Sequence, residues 1–286
     1  MGRVALKFAY LGRLFDSYAR QPDPRLRTVE EALLDRAREV GLIEDVRASR
    51  FASGSRTDRG VSARENVCAF DTDRAPGRVV TAMATRTGGV WPLGAAYVAD
   101  DWDPRRPEWR EYRYHLYGPL RPDCSRQALA AALAPFVGQH DFTAYARPEP
   151  GRKTVRVVLD IEVLEDPHGY VVAVRGRDFL WRQVRRMVAA ATAVASGEAP
   201  VDEIVAGLAD PRRAVERGTA PSWPLVLWRI HHPDIEWVTV PAIQARVRER
   251  LSWRLANVRV EEGFLAAVQE DRPTSGPTPS LRPKSS

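Results

Sequence analysis

Cysteine and histidine are scarce in this chain of 286 residues, which has two cysteines, Cys68 and Cys124, and five histidines. Two cysteines so far apart predict no disulfide framework, and the scattered histidines offer no metal-ligand spacing, so we expect no metal site. Long apolar runs are also missing, since none approaches the roughly 20 residues that span a membrane. Residues 1–10 alternate like a strand rather than like a secretory leader. Together these absences favour a reduced, cytoplasmic protein.

Lysine is nearly absent, although the chain is basic. All but three of its 43 basic residues are arginines, and the formal net charge is +6. A coding bias toward G and C explains much of this preference for arginine. The consequence is still physical, because the planar guanidinium binds phosphate through two hydrogen bonds and stacks on bases. The charge therefore predicts an anionic partner without naming it.

One short segment stands out among the residues that are present, namely 55–63, with the sequence Ser-Arg-Thr-Asp-Arg-Gly-Val-Ser-Ala. It sets a single carboxylate, Asp58, between Arg56 and Arg59 on a turn that contains Gly60. Flanking positive charges favour the ionised carboxylate, and functional groups are often displayed on loops. On composition alone, the segment is compatible with a surface ion pair or with an acidic nucleophile that faces an anionic substrate.

Hydrophobic periodicity predicts a mixture of strands and helices. Thr28 is placed to cap a helix that ends near Gly41. A longer helix is predicted over 179–196, with Asp178 as its N-cap and Gly197 at its end. Further strands are expected over 3–10, before residue 53, and over 67–70, 95–99, 111–117, 155–163 and 170–174, and further helices over 79–87 and 126–137. These elements do not alternate as β-α-β units, which favours an α+β fold with antiparallel sheets.

The pattern divides the chain into four parts. Residues 1–100 are expected to form an α/β subdomain that carries the Asp58 loop, and residues 101–232 a second α/β subdomain. Residues 233–270 are predicted to be a helical extension, because apolar residues recur at every fourth position from Ile243. Packing of this helix on the second subdomain is favoured over an interface with a partner. Residues 271–286 are rich in proline, serine, threonine and glycine, and we expect them to be disordered.

The Asp58 loop resembles the catalytic motif of the TruA family of tRNA pseudouridine synthases, Arg-Thr-Asp-x-Gly-Val-x-Ala. The fixed positions are matched by Arg56, Thr57, Asp58, Gly60, Val61 and Ala63. Ser62 stands where many bacterial members have histidine, and in this the chain is similar to the archaeal branch of the family.

Three later segments resemble further elements of that family, in the same order. Residues 111–114, Glu-Tyr-Arg-Tyr, are similar to its Tyr-x-Tyr strand, and residues 138–143 to its Gly-x-His-Asp-Phe element. Residues 179–185, Phe-Leu-Trp-Arg-Gln-Val-Arg, resemble its Phe-Leu-x-x-Met-Val-Arg segment, with Gln183 in place of methionine. The resemblance covers residues 3–230, and four matches in register make it specific.

This resemblance implies a pseudouridine synthase fold, in which two α/β subdomains with mainly antiparallel mixed sheets flank a basic cleft. It implies an isomerase that detaches uracil N1 from ribose C1′, turns the base and rejoins it through C5. Because no atoms are lost and no electrons are transferred, no cofactor is expected. The implied substrate is a uridine in the anticodon arm of tRNA, around positions 38 to 40, which must first be extruded from the RNA. The implied assembly is a homodimer.

By resemblance Asp58 is the catalytic group, because positive character develops at C1′ as the base leaves, and a carboxylate stabilises it or bonds to it. Arg185 is implied to pair with Asp58, and Arg56 to steer extrusion of the nucleotide. Tyr112 is implied to pack on the flipped base and to handle the C5 proton, whereas Tyr114 is expected to be structural. The remaining substrate-binding candidates are Thr57, Arg59, Gly60, Phe179, Leu180, Arg182 and Gln21.

Two rival functions remain open on the sequence. A tRNA-binding protein without activity would keep the arginines and tolerate the loss of Asp58. A hydrolase of the glycosidase type would need a second acid at a defined separation. The nearest candidate, Glu65, is better explained as an ion-pair partner of Arg64.

Two segments depart from the family pattern. In the run 220–225, Ala-Pro-Ser-Trp-Pro-Leu, Pro224 replaces a family glycine and removes a backbone donor from the segment that lines the uracil site in the family. Residues 85–91 also differ from the family's sequence. The sequence leaves open which uridine is modified, which tRNAs are accepted, and whether Asp58 attacks the sugar, adds to the base or assists formation of a glycal.

Overall fold

The computed structural model describes residues 2–84, 88–147 and 149–270. The tail that we expect to be disordered, 271–286, lies outside these residues, and so does the end of the predicted helix 79–87. The described residues up to Val240 form one compact unit, and those from Pro241 onward form a second. The division of the first 232 residues into two subdomains stays a prediction.

Nine strands within the described residues form one sheet in the first unit. They are β1 (Gly2–Tyr10), β2 (Ala52–Ser53), β3 (Ser62–Thr72), β4 (Val90–Tyr97), β5 (Trp109–Tyr117), β6 (Gly138–Asp141), β7 (Val155–Asp166), β8 (Gly169–Gly176) and β9 (Leu225–His231). Their order across the sheet is β4-β1-β3-β9-β5-β8-β7-β6, with β2 paired to β3. Among these described strands, only β3 and β9 pair in parallel. The expected α+β fold with a mainly antiparallel sheet is confirmed.

Five α-helices in the described part of the first unit accompany the sheet, and a sixth forms the described part of the second unit. They are α1 (Val29–Glu39), α2 (Pro76–Met83), α3 (Arg126–Leu133), α4 (Gln183–Ala195), α5 (Val201–Ala209) and α6 (Pro241–Glu270). At the start of α1, the Thr28 hydroxyl accepts a hydrogen bond from the backbone N–H of Glu31 at 3.1 Å. Gly41 follows the helix with a φ of +65°, a conformation that glycine adopts without strain. The predicted cap and end of this helix are confirmed.

The predicted start of α4 is wrong. Asp178 does not cap the helix, because its carboxylate pairs with Arg156 at 2.9 Å. The chain instead makes a tight turn in which the Gln183 side chain accepts a hydrogen bond from the N–H of Leu180 at 2.9 Å. Arg182 then takes a left-handed conformation, with φ of +63°, and the helix begins at Gln183. The helix ends at Ala195, one residue before the predicted end, with Ser196 as its C-cap and Gly197, at a φ of +77°, directly after it.

Strand β9 joins the two halves of the sheet, although it is absent from the sequence prediction. On one side it pairs in parallel with the start of β3, at Ser62–Val226 and Ala63–Leu227. On the other side it pairs antiparallel with β5. The loop that carries Asp58 enters β3, and residues 220–224 enter β9, so both segments reach the sheet at this junction.

Buried side chains between the sheet and α3 and α4 form a continuous core. Tyr114, Phe136, Phe142, Val172 and Met187 are fully shielded from solvent within it. Burial of a side chain of this size stabilises the fold by about 1.5–3 kcal/mol relative to exposure. The elements that carry the candidate site residues therefore rest on a well-packed frame.

Candidate active site

The Asp58 loop is a tight turn between β2 and β3. The backbone N–H of Val61 donates to the carbonyl of Asp58 at 3.1 Å and closes the turn. Gly60 has a φ of +85°, and a Cβ added there would lie 3.1 Å from the hydroxyl of Ser222. Glycine at this position thus lets the turn form close to residues 220–224.

Asp58 is held by two donors that come from the same later segment of the chain. Arg185 Nη1 lies 2.5 Å from Asp58 Oδ2, and the indole Nε1 of Trp181 donates to Asp58 Oδ1 at 2.9 Å. The Asp58 side chain is 19% exposed to solvent, and the Arg185 side chain is 13% exposed. A carboxylate in this arrangement is fixed in orientation and still open to a ligand.

Arg185 is itself fixed by the backbone of Ala220. Its Nε donates to the Ala220 carbonyl at 2.7 Å, and the Ala220 N–H donates to the Arg185 carbonyl at 3.3 Å. The next carbonyl, that of Pro221, accepts from the Tyr114 hydroxyl at 3.0 Å. Tyr114 is fully buried, which agrees with the structural role expected for it.

Pro224 lies at the entry to β9, where its carbonyl accepts a hydrogen bond from the N–H of His115 at 3.1 Å. The following N–H, that of Leu225, donates back to the carbonyl of Ser222 at 3.1 Å. The segment therefore forms a turn into the sheet with proline at this position. Proline still lacks the backbone donor that a glycine would offer.

The stem of the Asp58 loop is fastened by buried polar side chains that the sequence analysis missed. The fully buried Asn66 donates to the Ser55 carbonyl at 2.8 Å and accepts from the Ser55 N–H at 3.3 Å. The hydroxyls of Thr57 and Tyr10 lie 2.8 Å apart. A polar residue at an inward position of a strand was the available signal for Asn66.

Arg110, whose structural role the sequence did not indicate, connects the Asp58 loop to the segment before α4. Its guanidinium donates to the Ser55 hydroxyl at 2.9 Å and to the carbonyls of Arg177 at 2.7 Å and Arg105 at 2.9 Å. Burial lowers the pKa of the Arg110 guanidinium from its usual value. A buried cation requires such a set of acceptors, so Arg110 serves to hold three chain segments together.

Tyr112 lies on β5 beside the same loop. Its ring meets that of Phe179 edge to face, with 5.4 Å between the ring centroids. Burial raises the pKa of the Tyr112 phenol, and the charge of Asp58 adds to the rise while Arg110 and Ser55 oppose it. The hydroxyl therefore stays protonated at neutral pH.

Two cavities open beside Asp58. The first, of about 590 Å³, has apolar lining from Val61, Phe179, Leu180, Val184 and Leu225 and a rim of arginine and carboxylate side chains. The second, of about 610 Å³, has a mixed lining that includes Tyr18, Gln21, Arg59, Gly60 and Ser222. Both cavities are lined by Arg56, Thr57, Asp58, Trp181, Arg182 and Arg185. With Tyr112 in the first cavity, every site residue predicted from the sequence lines one cavity or both.

Carboxylates other than Asp58 that bear on the hydrolase alternative are all paired with cations. In the first cavity, Glu149 pairs with Arg152 at 2.8 Å, and Asp178 pairs with Arg156 at 2.9 Å. Glu65 pairs with Arg64 at 2.7 Å, as expected from the sequence. None of the described residues forms a group of three or more histidine, cysteine or acidic side chains fit to hold a metal ion. None of the helices in the described ranges has the length and apolar content needed to cross a membrane.

This chain is similar to proteins named tRNA pseudouridine synthase. A family model described as tRNA pseudouridine synthase matches residues 132–233. The tRNA pseudouridine synthase A of Thermococcus sibiricus is 36% identical over 255 residues, which cover 87% of this chain and 92% of that protein. The tRNA pseudouridine synthase A of Methanococcoides burtonii is 37% identical over 272 residues, which cover 92% and 95% respectively.

Solved structures give a weaker match. A Cbf5-Nop10-Gar1 complex contains a chain with 17% identity and a TM-score of 0.35, which covers 64% of this chain and 45% of that one. No inference about the site follows from a likeness of this size.

Proposed function

We propose that this chain, which belongs to the family of tRNA pseudouridine synthase A, isomerises uridine to pseudouridine in tRNA with Asp58 as the catalytic group. Its membership of the family rests on 36–37% identity to relatives of which it covers more than nine-tenths. As an enzyme of this family it is an isomerase. One observation carries the proposal for Asp58. Its carboxylate lies between Arg185 and Trp181 on the wall shared by two cavities, one of which is partly apolar.

The reaction requires that the protein stabilise charge at the ribose and provide space in which the base can turn. The bond from uracil N1 to ribose C1′ breaks, and a bond from C5 to C1′ forms. The proton on C5 leaves and N1 gains one, so atoms and electrons balance within the nucleotide. The Asp58 carboxylate stabilises the positive character at C1′, or bonds to it, while the base turns. Arg185 keeps one carboxylate oxygen in place throughout.

Tyr112 is our candidate for the C5 proton. Its phenol faces the first cavity together with Phe179 and, with its raised pKa, is protonated at neutral pH. A neutral phenol takes up a proton only as it gives up its own, so we propose that Tyr112 relays the proton rather than storing it. The rings of Tyr112 and Phe179 would also contact the face of the uracil.

The target uridine must leave the RNA stack to reach Asp58. A cavity of about 590 Å³ is of the size that holds a small ligand. We propose that it takes the extruded nucleotide, with Phe179 and Leu180 against the base. Arg56, which lines both cavities, would steer the extrusion, since a guanidinium stacks on bases and binds phosphate.

The second cavity is our proposed site for the neighbouring part of the RNA. Its lining includes Gln21, Arg59 and Arg182, together with the turn at Thr57 and Gly60. The side chains of Gln21, Arg59 and Arg182 can donate hydrogen bonds to ribose hydroxyls and phosphates. From the resemblance of the motifs, we propose that the substrate is a uridine in the anticodon stem-loop of tRNA, around positions 38 to 40. This uridine must be extruded from the RNA. We also propose that the protein acts as a homodimer in the cytoplasm.

A tRNA-binding protein without activity is the second candidate. It would need the arginines of both cavities, but it would not need a carboxylate fixed at both oxygens. A glycosidase-type hydrolase requires two carboxyl groups separated by roughly 5–9.5 Å. The ion pairs of Glu149 and Asp178 disfavour that alternative.

Mapping pseudouridine in tRNA tests the proposal. Unmodified tRNA transcripts are incubated with the purified full-length protein, and pseudouridine is located by chemical labelling and primer extension. Product in the anticodon arm is the expected result. Product at another position would reject the assigned site, and no product with any tRNA would reject the activity.

A further inference from the structure

Trp181 is the second group bonded to Asp58, and the resemblance gives it no role. Its position in the family motif is one of the unspecified ones. In the structure its indole N–H donates to Asp58 Oδ1 at 2.9 Å, while Arg185 holds Oδ2. Trp181 is 39% exposed, so its ring is open to a ligand.

The surroundings of Trp181 hold the indole against Asp58. The Trp181 carbonyl accepts a hydrogen bond from the N–H of Arg147 at 2.8 Å. The guanidinium of Arg147 lies 4.3 Å from the centre of the indole ring, and that of Arg182 lies 5.3 Å away. Immediately after Trp181, the backbone of Arg182 is left-handed, a conformation uncommon outside glycine. Such local strain at the edge of a cavity indicates that the position of the indole matters.

We propose that Trp181 is a positioning residue for Asp58: its indole N–H fixes the plane of the carboxylate against the sugar of the extruded nucleotide. This inference rests on the proposed function. The terminal torsion of an aspartate is broad and roughly two-fold, so one donor alone leaves the carboxylate free to rotate. Arg185 and Trp181 bond different oxygens, and together they leave one orientation.

A second consequence follows from the place of Trp181 between the cavities. Its ring lines both of them, and two guanidinium groups lie near it. The ring is therefore expected to contribute to RNA affinity through stacking. The N–H is thus expected to affect the rate of the chemical step, and the ring the affinity for tRNA.

The test separates the N–H from the ring. Benzothienylalanine, in which sulfur replaces the indole N–H, is introduced at Trp181 of the full-length protein through a reassigned stop codon. Trp181→Phe and Trp181→Ala are made in parallel, and Trp253→Phe serves as the control because Trp253 is 71% exposed on α6. Each protein is assayed for single-turnover pseudouridine formation at saturating tRNA and for the tRNA dissociation constant.

The benzothienyl variant should lose at least about tenfold in single-turnover rate, as expected for one hydrogen bond to a charged group, with less than about a threefold change in tRNA affinity. Trp181→Phe should behave in the same way, and Trp181→Ala should also bind tRNA more weakly. A benzothienyl variant as fast as the wild type, or faster, would overturn the proposal. Loss of affinity with an unchanged rate would also overturn it, because the indole would then act on binding alone.

A spectroscopic readout tests the contact without relying on activity. The indole N–H resonance of Trp181, assigned by its absence in Trp181→Phe, should shift when Asp58 is replaced by alanine. An unchanged resonance would contradict the contact. If the wild type makes pseudouridine and Asp58→Ala does not, but the Trp181 variants equal the wild type, only the inference about Trp181 fails. If the wild type makes none, the proposed function fails instead.

Discussion

At the scale of single residues, the role of Arg185 depends on the geometry of its guanidinium as much as on its charge. Its Nη1 contacts Asp58, and its Nε donates to the Ala220 carbonyl at 2.7 Å. A guanidinium is planar and makes both bonds at once, whereas an ammonium is a point charge on a flexible chain. The arginine therefore ties the carboxylate to the segment that enters β9.

Arg185→Lys should consequently keep the positive charge but no longer fix the orientation of the Asp58 carboxylate. We expect pseudouridine formation to fall about 30- to 160-fold, as for the loss of a charge-assisted hydrogen bond worth roughly 2–3 kcal/mol. Arg186→Lys is the matched control, since Arg186 is the next residue and pairs with the exposed Glu216. Single-turnover assays of the two variants check this. Equal activity in both would show that charge alone suffices at Arg185.

Residues with a motif to mark them were found from the sequence, and residues without one were missed. Asp58 and Arg185 lie 127 positions apart in the chain, and only the resemblance implied their contact. Trp181 was missed because its motif position carries no constraint on residue type. The structural role of Arg110 was missed because one more arginine among 43 basic residues gives no signal of burial. Its role is visible only in the structure, where the carbonyls of Gly54, Arg105 and Arg177 converge on it.

At the scale of elements, the start of α4 carries most of the site. Phe179 and Leu180 precede a tight turn at Trp181 and Arg182, and Arg182 is left-handed at the N-cap of the helix. A regular helix from residue 179 would point these side chains at spacings of about 100° around its axis. The turn instead allows Leu180 and Trp181 to face the cavities before Arg185 reaches Asp58 from the first turns of the helix.

A pair of substitutions at Arg182 tests the importance of that conformation. Both Arg182→Gly and Arg182→Ala remove the guanidinium, but only glycine adopts a positive φ without strain. The glycine variant should be more stable than the alanine variant by about 1 kcal/mol. Thermal or denaturant unfolding measures the difference. Equal stability of the two would mean that the left-handed conformation costs nothing at this position.

Element types were more predictable from sequence than element boundaries. The start of α1 followed from one threonine and a glutamate three residues later, a local signal that the structure retains. The start of α4 was placed four residues too early, because an apolar run after Asp178 is typical of a helix. The side chain of Gln183, bonded to the Leu180 N–H, redirects the chain there. Strand β9 was missed because its partners, β3 and β5, are distant in sequence.

At the scale of the whole molecule, the net charge of +6 and the arginines of both cavities favour an RNA backbone as the partner. Neutralised phosphates release counterions, so the binding constant falls steeply with salt. Electrostatic attraction of this kind brings tRNA to the protein but does not choose the uridine. In the proposed mechanism, the two cavities and the extrusion step make that choice.

The salt dependence of tRNA binding provides a quantitative check. The logarithm of the association constant should fall linearly with the logarithm of the salt concentration, and Arg59→Gln should reduce the slope by about 1. Arg212→Gln is the control, because Arg212 is 89% exposed and paired with its neighbour Asp210. Filter binding or fluorescence anisotropy over a salt series gives both slopes. A slope that Arg59→Gln leaves unchanged would remove Arg59 from the RNA contact.

Replacement of Asp58 tests the central claim most directly. Asp58→Asn keeps the shape of the side chain and removes its charge, whereas Asp58→Ala removes the group. Asp73→Asn is the control, because Asp73 is exposed and pairs with its neighbour Arg74. We predict that both Asp58 variants bind tRNA within about threefold of the wild type and lose at least about a thousandfold in single-turnover pseudouridine formation. Asp73→Asn should match the wild type in both. Pseudouridine formed by Asp58→Ala at a rate near that of the wild type would contradict the account.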